Sequence, residues 1–533
     1  MPLWQREEVQ ELPRCFLIAQ RISSFCDARR SFALMSIKSK LALGLARGTL
    51  RRIRRDAARA VEMQQRVLNQ LLSAGSKTSF GKDHQMAAVT NATEFAQAIP
   101  VRDYELLRPW IERAVAGETD VLWPGRPLYF CKTSGTTSGM KYIPLTKASM
   151  PNHIGSARNA LLSYIAETGH ADFVNRKMIF LQGSPKLELL PSGIPFGRLS
   201  GIVANHVPVY LQRNRMPSYA TNCIEDWETK VHAIAEETVS EDMGLISGIP
   251  SWVQMYFEIL LQKTGRNTVQ ELFPHFNLFV YGGVNFEPYR KRFEDLIGKK
   301  IPSIELYPAS EGFIAYQDSQ EYDGLLLNVN SGIYFEFIRV DDFHSEHPKR
   351  LTLAEVNTDE NYVLILSNNA GLWGYNIGDT VRFVSLDPPR IKVTGRIAHY
   401  TSAFGEHVIA EEVERAMSAA VNALGLKVNE FHVAPQVKPD EGLPYHQWVV
   451  EFDELPVNLD EVALYLDQGM TGQNVYYKDL IKGHVLRPLV LSPVQRGTFH
   501  AYMKSIGKLG GQNKVPRLAN DRAVAEGLMA LGK

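Results

Sequence analysis

Two short apolar runs enclose a helix-like one between Met243 and Gly283. The chain reads MGLISGIP over Met243–Pro250, WVQMYFEILLQ over Trp252–Gln262 and FNLFVYGG over Phe276–Gly283. The outer runs end in Gly or Pro after four or five apolar residues, as strands buried on both faces do. The middle run carries too many apolar residues for a loop and only two polar breaks, Gln254 and Glu258. Strand, helix and strand in that order are the unit of a parallel sheet.

Working outward, KMIFLQG at Lys177–Gly183 and IPSIELYPAS at Ile301–Ser310 read as further strands, and PYRKRFEDLIG at Pro288–Gly298 as a helix. From about residue 130 to 310 the alternation predicts a mainly parallel sheet covered by helices, with ligands at the carboxyl ends of its strands. From about 325 to 395 the style changes. GIYFEFIRV, LTLAEV, NYVLILSN, DTVRFVS and RIKVTG read as successive strands of an antiparallel sheet or a β-barrel-like part. Past Gly395 a third pattern mixes the helices AEEVERAMSAAVNAL, NLDEVALYLD and TFHAYMKSI with the strands EFHVAPQV, QWVVEFDEL and LRPLVLSP. The expected fold class is therefore α/β. It has a large domain over residues 35–394 and a small α+β domain over 395–533.

Composition bounds the function. The 533 residues hold 58 basic and 58 acidic side chains, so no global excess points to nucleic acid. Cys15, Cys26, Cys131 and Cys223 are scattered without metal-ligand spacing and read as reduced thiols of a cytoplasmic protein. No apolar run is long enough to predict a membrane span. Residues 38–66 carry nine basic side chains against Asp56 and Glu62, with Leu50, Ile53, Ala57, Val61, Leu68 and Leu71 at helical spacing. That pattern predicts an amphipathic helix with a basic outer face, packed on its own domain. Residues 1–34 read as a possible N-terminal extension, and Met35 as a candidate natural start.

KTSGTTSGMKYIPL, Lys132–Leu145, is the strongest chemical signal. Glycines and hydroxyl residues in one loop offer backbone N–H groups and side-chain donors to an anion, and Lys141 adds charge at the rim. A Walker loop requires four residues between its glycines, then Lys-Ser/Thr. Here three separate Gly135 from Gly139, and Tyr142 follows the lysine. A different phosphate loop remains.

TSGTTSGMK resembles the phosphate loop of the adenylate-forming superfamily, and five further stretches follow in that superfamily's order. YGGVNF (Tyr281–Phe286) is similar to its adenine turn, YPASEG (Tyr307–Gly312) to its aromatic–small–Ser/Thr–Glu signature, and YNIGDTVRF (Tyr375–Phe383) to its ribose motif. GRIAHYTSAFGEHVIAEEVE is similar to its hinge and first lid helix, and NKVPR (Asn513–Arg517) lies where it places a catalytic lysine. Within the superfamily, FGKDHQM, IPVRDYELLRPWIERAVAGETDVLWPG and GGQNKVPRL resemble the acyl-acid amido synthetases called the Gretchen Hagen family, over roughly residues 60–520. The region where the plant enzymes contact their hormone shows no matching stretch.

The resemblance implies ATP and Mg²⁺, an acyl-adenylate, and transfer of the acyl group to an amine or amino acid. It assigns Ser134, Gly135, Thr136, Thr137, Gly139 and Lys141 to the phosphates, and Gly282, Gly283 and Tyr307 to the adenine. Asp379 falls to the ribose, Arg396 to ribose or phosphate, Glu311 to Mg²⁺, and Lys514 to the reacting carboxylate and α-phosphate, with Lys508 as its rival. Residues 395–533 become a mobile lid, with a hinge around Arg396–Tyr400. Arg517 and Lys478 are candidates for an amino acid's carboxylate, while His153, His206 and His399 lie near the site without a triad signature. An acyl-CoA ligase and a catalytically inactive nucleotide-binding regulator are the alternatives. A lid with singly spread basic residues favours the amide.

Overall fold

The computed structural model describes residues 36–134, 140–206, 212–283, 286–397, 408–439, 441–482, 485–509 and 514–532. The expected extension and start, most of the phosphate loop (Gly135–Gly139) and most of the hinge, His399 included, lie outside them.

Eighteen strands form three sheets among the described residues. They begin with β1 (Tyr129–Ser134), β2 (Met140–Leu145), β3 (Lys177–Phe180), β4 (Glu188–Leu189), β5 (Pro195–Gly197) and β6 (Arg215–Met216). The middle of the chain supplies β7 (Met243–Ser247), β8 (Leu278–Gly282), β9 (Ser303–Ala309), β10 (Gly312–Tyr316), β11 (Leu325–Leu327) and β12 (Ile333–Arg339). Last come β13 (Asn361–Asn368), β14 (Tyr375–Leu386), β15 (Pro389–Arg396), β16 (Val428–Gln436), β17 (Tyr445–Phe452) and β18 (Val490–Val494).

The large sheet has eleven strands in the order β12-β13-β14-β15-β11-β10-β9-β8-β7-β3-β6. From β9 to β6 every pair is parallel; from β9 to β12 every pair is antiparallel. The parallel half follows from its sequence: β7 and β8 are almost wholly buried, with the helices Trp227–Thr238, Pro250–Thr264 and Glu287–Ile297 packed against them. The antiparallel half surrounds a second core containing Tyr334, Phe335, Tyr362 and Trp373.

Three expectations change. The antiparallel strands do not close: they extend the parallel half as one open sheet, and there is no closed barrel among the described residues. LTLAEV is not a strand; after the single bridge of Leu351 to Phe337 it enters a turn. The basic segment is two helices, Ile37–Ala57 and Ala60–Gly75, and Val61 just past their break is exposed rather than packed.

The third sheet, β16-β17-β18, has its own core of Val413, Met417, Phe431, Trp448 and Leu466 beneath the helices Ala410–Leu424 and Leu459–Gln473. A four-stranded sheet, β2-β1-β5-β4, carries the arms of the phosphate loop. No described helix is long and apolar enough to cross a membrane.

Candidate functional site

The site forms where β8, β9 and β15 end and β14 begins, because these strands place their motif residues at one edge of the large sheet. Tyr307 near the end of β9 is 7% exposed, and its hydroxyl donates to Asp379 Oδ2 at 2.6 Å. Asp379 pairs in register with Arg396 across β14 and β15, and Arg396 Nε lies 2.9 Å from Asp379 Oδ1. A second Arg396 nitrogen donates to the Ile377 carbonyl at 2.9 Å. The aspartate is thus held from both sides, and its remaining lone pairs stay open to further donors.

Glu311 lies in the β9–β10 turn. Burial raises its pKa above the usual carboxylate range, with nearby Asp379 adding to the shift and Arg396 and Lys141 opposing it. Its backbone carbonyl accepts from Asn368 Nδ2 at 2.6 Å. Asn368 Oδ1 meanwhile takes the N–H groups of Ala370 and Leu372, which fixes the turn before β14.

Lys141 on β2 places its ammonium 5.4 Å from the centre of the Tyr104 ring. Such a contact leaves the charge available to an anion. The Tyr104 hydroxyl accepts from the Tyr142 N–H at 2.9 Å. Two residues earlier, Arg102 exchanges backbone hydrogen bonds with Gly374 and Asn376 on either side of Tyr375. The stretch IPVRDY therefore brackets the site, joining the arm of the phosphate loop to the start of β14. FGKDHQM does something else. Phe80 is fully buried against Trp110 and Trp373, so that motif is packing.

Irregular chain beside the third sheet contributes Lys514, whose ammonium donates to the Gly283 carbonyl. Gly283 has φ +83°, and a Cβ there would collide with the lysine head, so this close approach requires glycine. Gly282 is as constrained: a Cβ would lie 2.5 Å from the Leu306 carbonyl oxygen. Lys514 keeps solvent contact along the cleft, yet protein packs closely around its head. Desolvation lowers its pKa to about 8, against the opposing pull of Asp379.

The rest of NKVPR anchors that lysine. Pro516, Arg517 and Ala519 bond along β16 through His432 and Val433. Arg517 is 7% exposed; it donates to the Phe431 carbonyl at 3.1 Å, pairs with Glu430, and reaches Tyr289 on the helix Glu287–Ile297. It is committed to this network, so the expectation that it receives an amino acid's carboxylate is corrected. Lys478 and Lys508 are both exposed, and no contact described for either brings it to the site.

The structure thus brings together Lys141, Gly282, Gly283, Tyr307, Glu311, Asp379, Arg396 and Lys514, with Ser134 at the end of β1. Sequence reading missed Tyr104 and Asn368; Tyr104 lay inside a quoted motif, while Asn368 carried no signal. His153 is buried with Nδ1 unpartnered, and burial pushes its pKa down to about 4. Among the described residues no three His, Cys, Asp or Glu side chains form a metal cluster.

Profiles of the GH3 family match most of the chain. The N-terminal domain matches residues 49–214 and 194–302, the central domain 326–396 and the C-terminal domain 411–523. A jasmonoyl–L-amino acid synthetase of Nicotiana attenuata is 23% identical over 541 residues, covering 86% of this chain and 91% of the relative. The solved GH3.15 acyl acid amido synthetase superposes with a TM-score of 0.73 at 16% identity, covering 90% of this chain and 95% of that one. A 2-hydroxyisobutyryl-CoA ligase with its acyl-AMP superposes at 0.57 and 13% identity, over 88% and 91%.

Proposed function

The chain belongs to the GH3 family, and from that membership and the site we propose that it is an ATP-dependent acyl-acid amido synthetase. A carboxylate oxygen attacks the α-phosphorus of ATP, the bond to the β-phosphate breaks, and pyrophosphate leaves. An amine or amino acid nitrogen then attacks the acyl carbon, loses a proton and displaces AMP. The observation that carries this reading is Lys514, delivered from a separately packed unit onto Gly283 beside Tyr307, Asp379 and Arg396.

In this reading Ser134, Gly135, Thr136, Thr137, Gly139 and Lys141 hold the β- and γ-phosphates. Gly282, Gly283 and Tyr307 border the adenine. Asp379 accepts the ribose hydroxyls, and Arg396 fixes the carboxylate that does so. Lys514 neutralises charge that builds between carboxylate and α-phosphate, a contribution that requires donors already in place. The residues fit Mg²⁺: Glu311 is a hard oxygen donor in a crowded, partly buried turn, and Mg²⁺ needs only one or two protein carboxylates beside phosphates. Bound there, the ion would offset phosphate charge. The two free cysteines among the described residues agree with a cytoplasmic location.

The likeness to a CoA ligase favours one second reading, thioester formation on the same adenylate. ATP–pyrophosphate exchange over a panel of acids tests the first half-reaction. Mass spectrometry of products with amino acids or coenzyme A tests the second. Amide plus AMP is expected. A thioester formed faster than any amide overturns the acceptor, and no exchange with any acid overturns the enzyme.

A further inference from the structure

A surface groove of about 350 Å³ opens along the helix Met150–Thr168. Met150, Ile154 and Arg158 line it at four-residue spacing, so one stripe of that helix forms its floor. Leu128 and His206 also line it, and Lys147 stands just before the helix begins.

The groove adjoins the site through two shared elements. His206 Nε2 lies 3.1 Å from the Tyr129 hydroxyl on β1. Tyr129 and Cys131 alternate on one face of that strand, about 7 Å apart, and the Cys131 thiol bonds to Ser310 within the field of Glu311. On the helix face turned away from the groove, Asn152 accepts the Phe313 N–H at 2.7 Å, two residues beyond Glu311, so the same helix borders both.

Its lining is apolar and cationic, with no acidic side chain. Lys147 and Arg158 are exposed, and neither forms an ion pair among the described residues. The volume is that of a small-molecule site. Unpaired cations beside an apolar trough complement an amphipathic anion. The carboxyl that reacts must reach the nucleotide, so these cations are free for a second anionic group.

We propose that this groove binds the acid substrate, and that Lys147 and Arg158 select a dicarboxylic acid whose apolar body lies on Met150 and Ile154. The fate of the bound acid rests on the synthetase reading; its binding does not.

Terephthalate and 4-methylbenzoate share a ring and differ in the second carboxylate, which makes them suitable probes. Gly155 also lines the groove, and a Cβ there would meet only Arg158 Nη2, at 3.9 Å. Gly155→Phe therefore fills the groove without touching the core. Calorimetry on the full chain without nucleotide should show terephthalate bound at least about tenfold tighter than 4-methylbenzoate, the scale of one partly desolvated charge pair. Arg158→Gln should bring that ratio towards one. Gly155→Phe should weaken both acids, with ATP binding and thermal unfolding unchanged in either variant. Equal affinity for the two acids, no binding of terephthalate, or wild-type binding in both variants overturns the groove. Terephthalate that binds as expected but supports no pyrophosphate exchange refutes the synthetase reading and leaves the groove standing.

Discussion

The two halves of the site are held in different ways. On the large sheet, Tyr307, Asp379 and Arg396 sit on strands locked by register, and the contacts among them span 2.6–2.9 Å within one domain-sized core. The unit built on the third sheet meets that half mainly through charged side chains, with Leu509 packed on the core of the parallel half. Arg292 and Arg496 bridge Glu258 and Asp453; Lys504 and His500 meet Glu228; Arg382 meets Glu411. Glu305, pushed up to about 7 by burial and by Glu414 opposite, even sets two carboxyls against each other across the boundary. Apolar cores resist opening; here Asp453 and Arg292 are largely buried, but Arg496, Lys504 and Glu228 lie at the rim, where charges are easily re-solvated. In the proposed reaction the half that binds ATP throughout can be rigid, whereas one that delivers a lysine and then withdraws it must not be.

The largest effect should come from the residue that crosses the boundary. Lys514→Ala should slow pyrophosphate exchange by roughly 10²–10³, or ~3–4 kcal/mol, with ATP affinity near wild type by calorimetry. Asp379→Ala, on the rigid half, should weaken ATP binding itself. Loss of ATP binding in the lysine variant, with normal turnover of bound ATP, would refute the division of roles.

Acidity tests the same lysine. In the proposed role its ammonium is the working form, and its pKa is lowered to about 8, so kcat/KM for ATP in exchange should be full below that pH. Above it the rate should fall by about tenfold per unit as the proton is lost, since kcat/KM reports the free enzyme. Lys514→Arg, which stays charged, should abolish that fall even if its rate is low. A descending limb unchanged in the arginine variant would assign the titration to another group.

Tyr289 joins the unit of the third sheet to the large sheet's helices through Arg517 and Glu430. Tyr289→Phe removes that hydrogen bond without removing the buried charge, so exchange should drop by about fivefold, roughly 1 kcal/mol. Aminolysis of supplied acyl-adenylate should change less. Equal slowing of both half-reactions would mean the network supports the fold rather than the docked position.

The smallest effect should be that of salt. Raising NaCl from about 0.05 to 0.5 M screens the rim pairs and should lower exchange roughly two- to fivefold, with little loss of nucleotide affinity. An ATP affinity that falls in parallel would place the salt effect on phosphate binding, on the rigid half.

Periodicity and punctuation made the parallel half legible, because each strand from β7 to β9 is a closed apolar run ending at Gly, Pro or a small residue. Motif order assigns Asp379, Tyr307 and Lys514 to one site. These are local signals: a strand end, a positive-φ glycine and a loop of small residues need particular residue types wherever the chain folds. Other features depend on groups distant in sequence. Whether four antiparallel strands close or join a sheet is decided by the pairing of β15 with β11. LTLAEV reads as a strand, yet only Leu351 finds a partner edge. Arg517 looked free because its partners, Tyr289 and Glu430, lie 228 and 87 positions away. Asn368 holds Glu311 across 57 residues of chain. Sequence thus determined most of the elements and pointed to the chemistry proposed for each. Only tertiary structure decided which charges are already spent and which remain for a ligand, because a side chain's freedom depends on neighbours brought to it by folding.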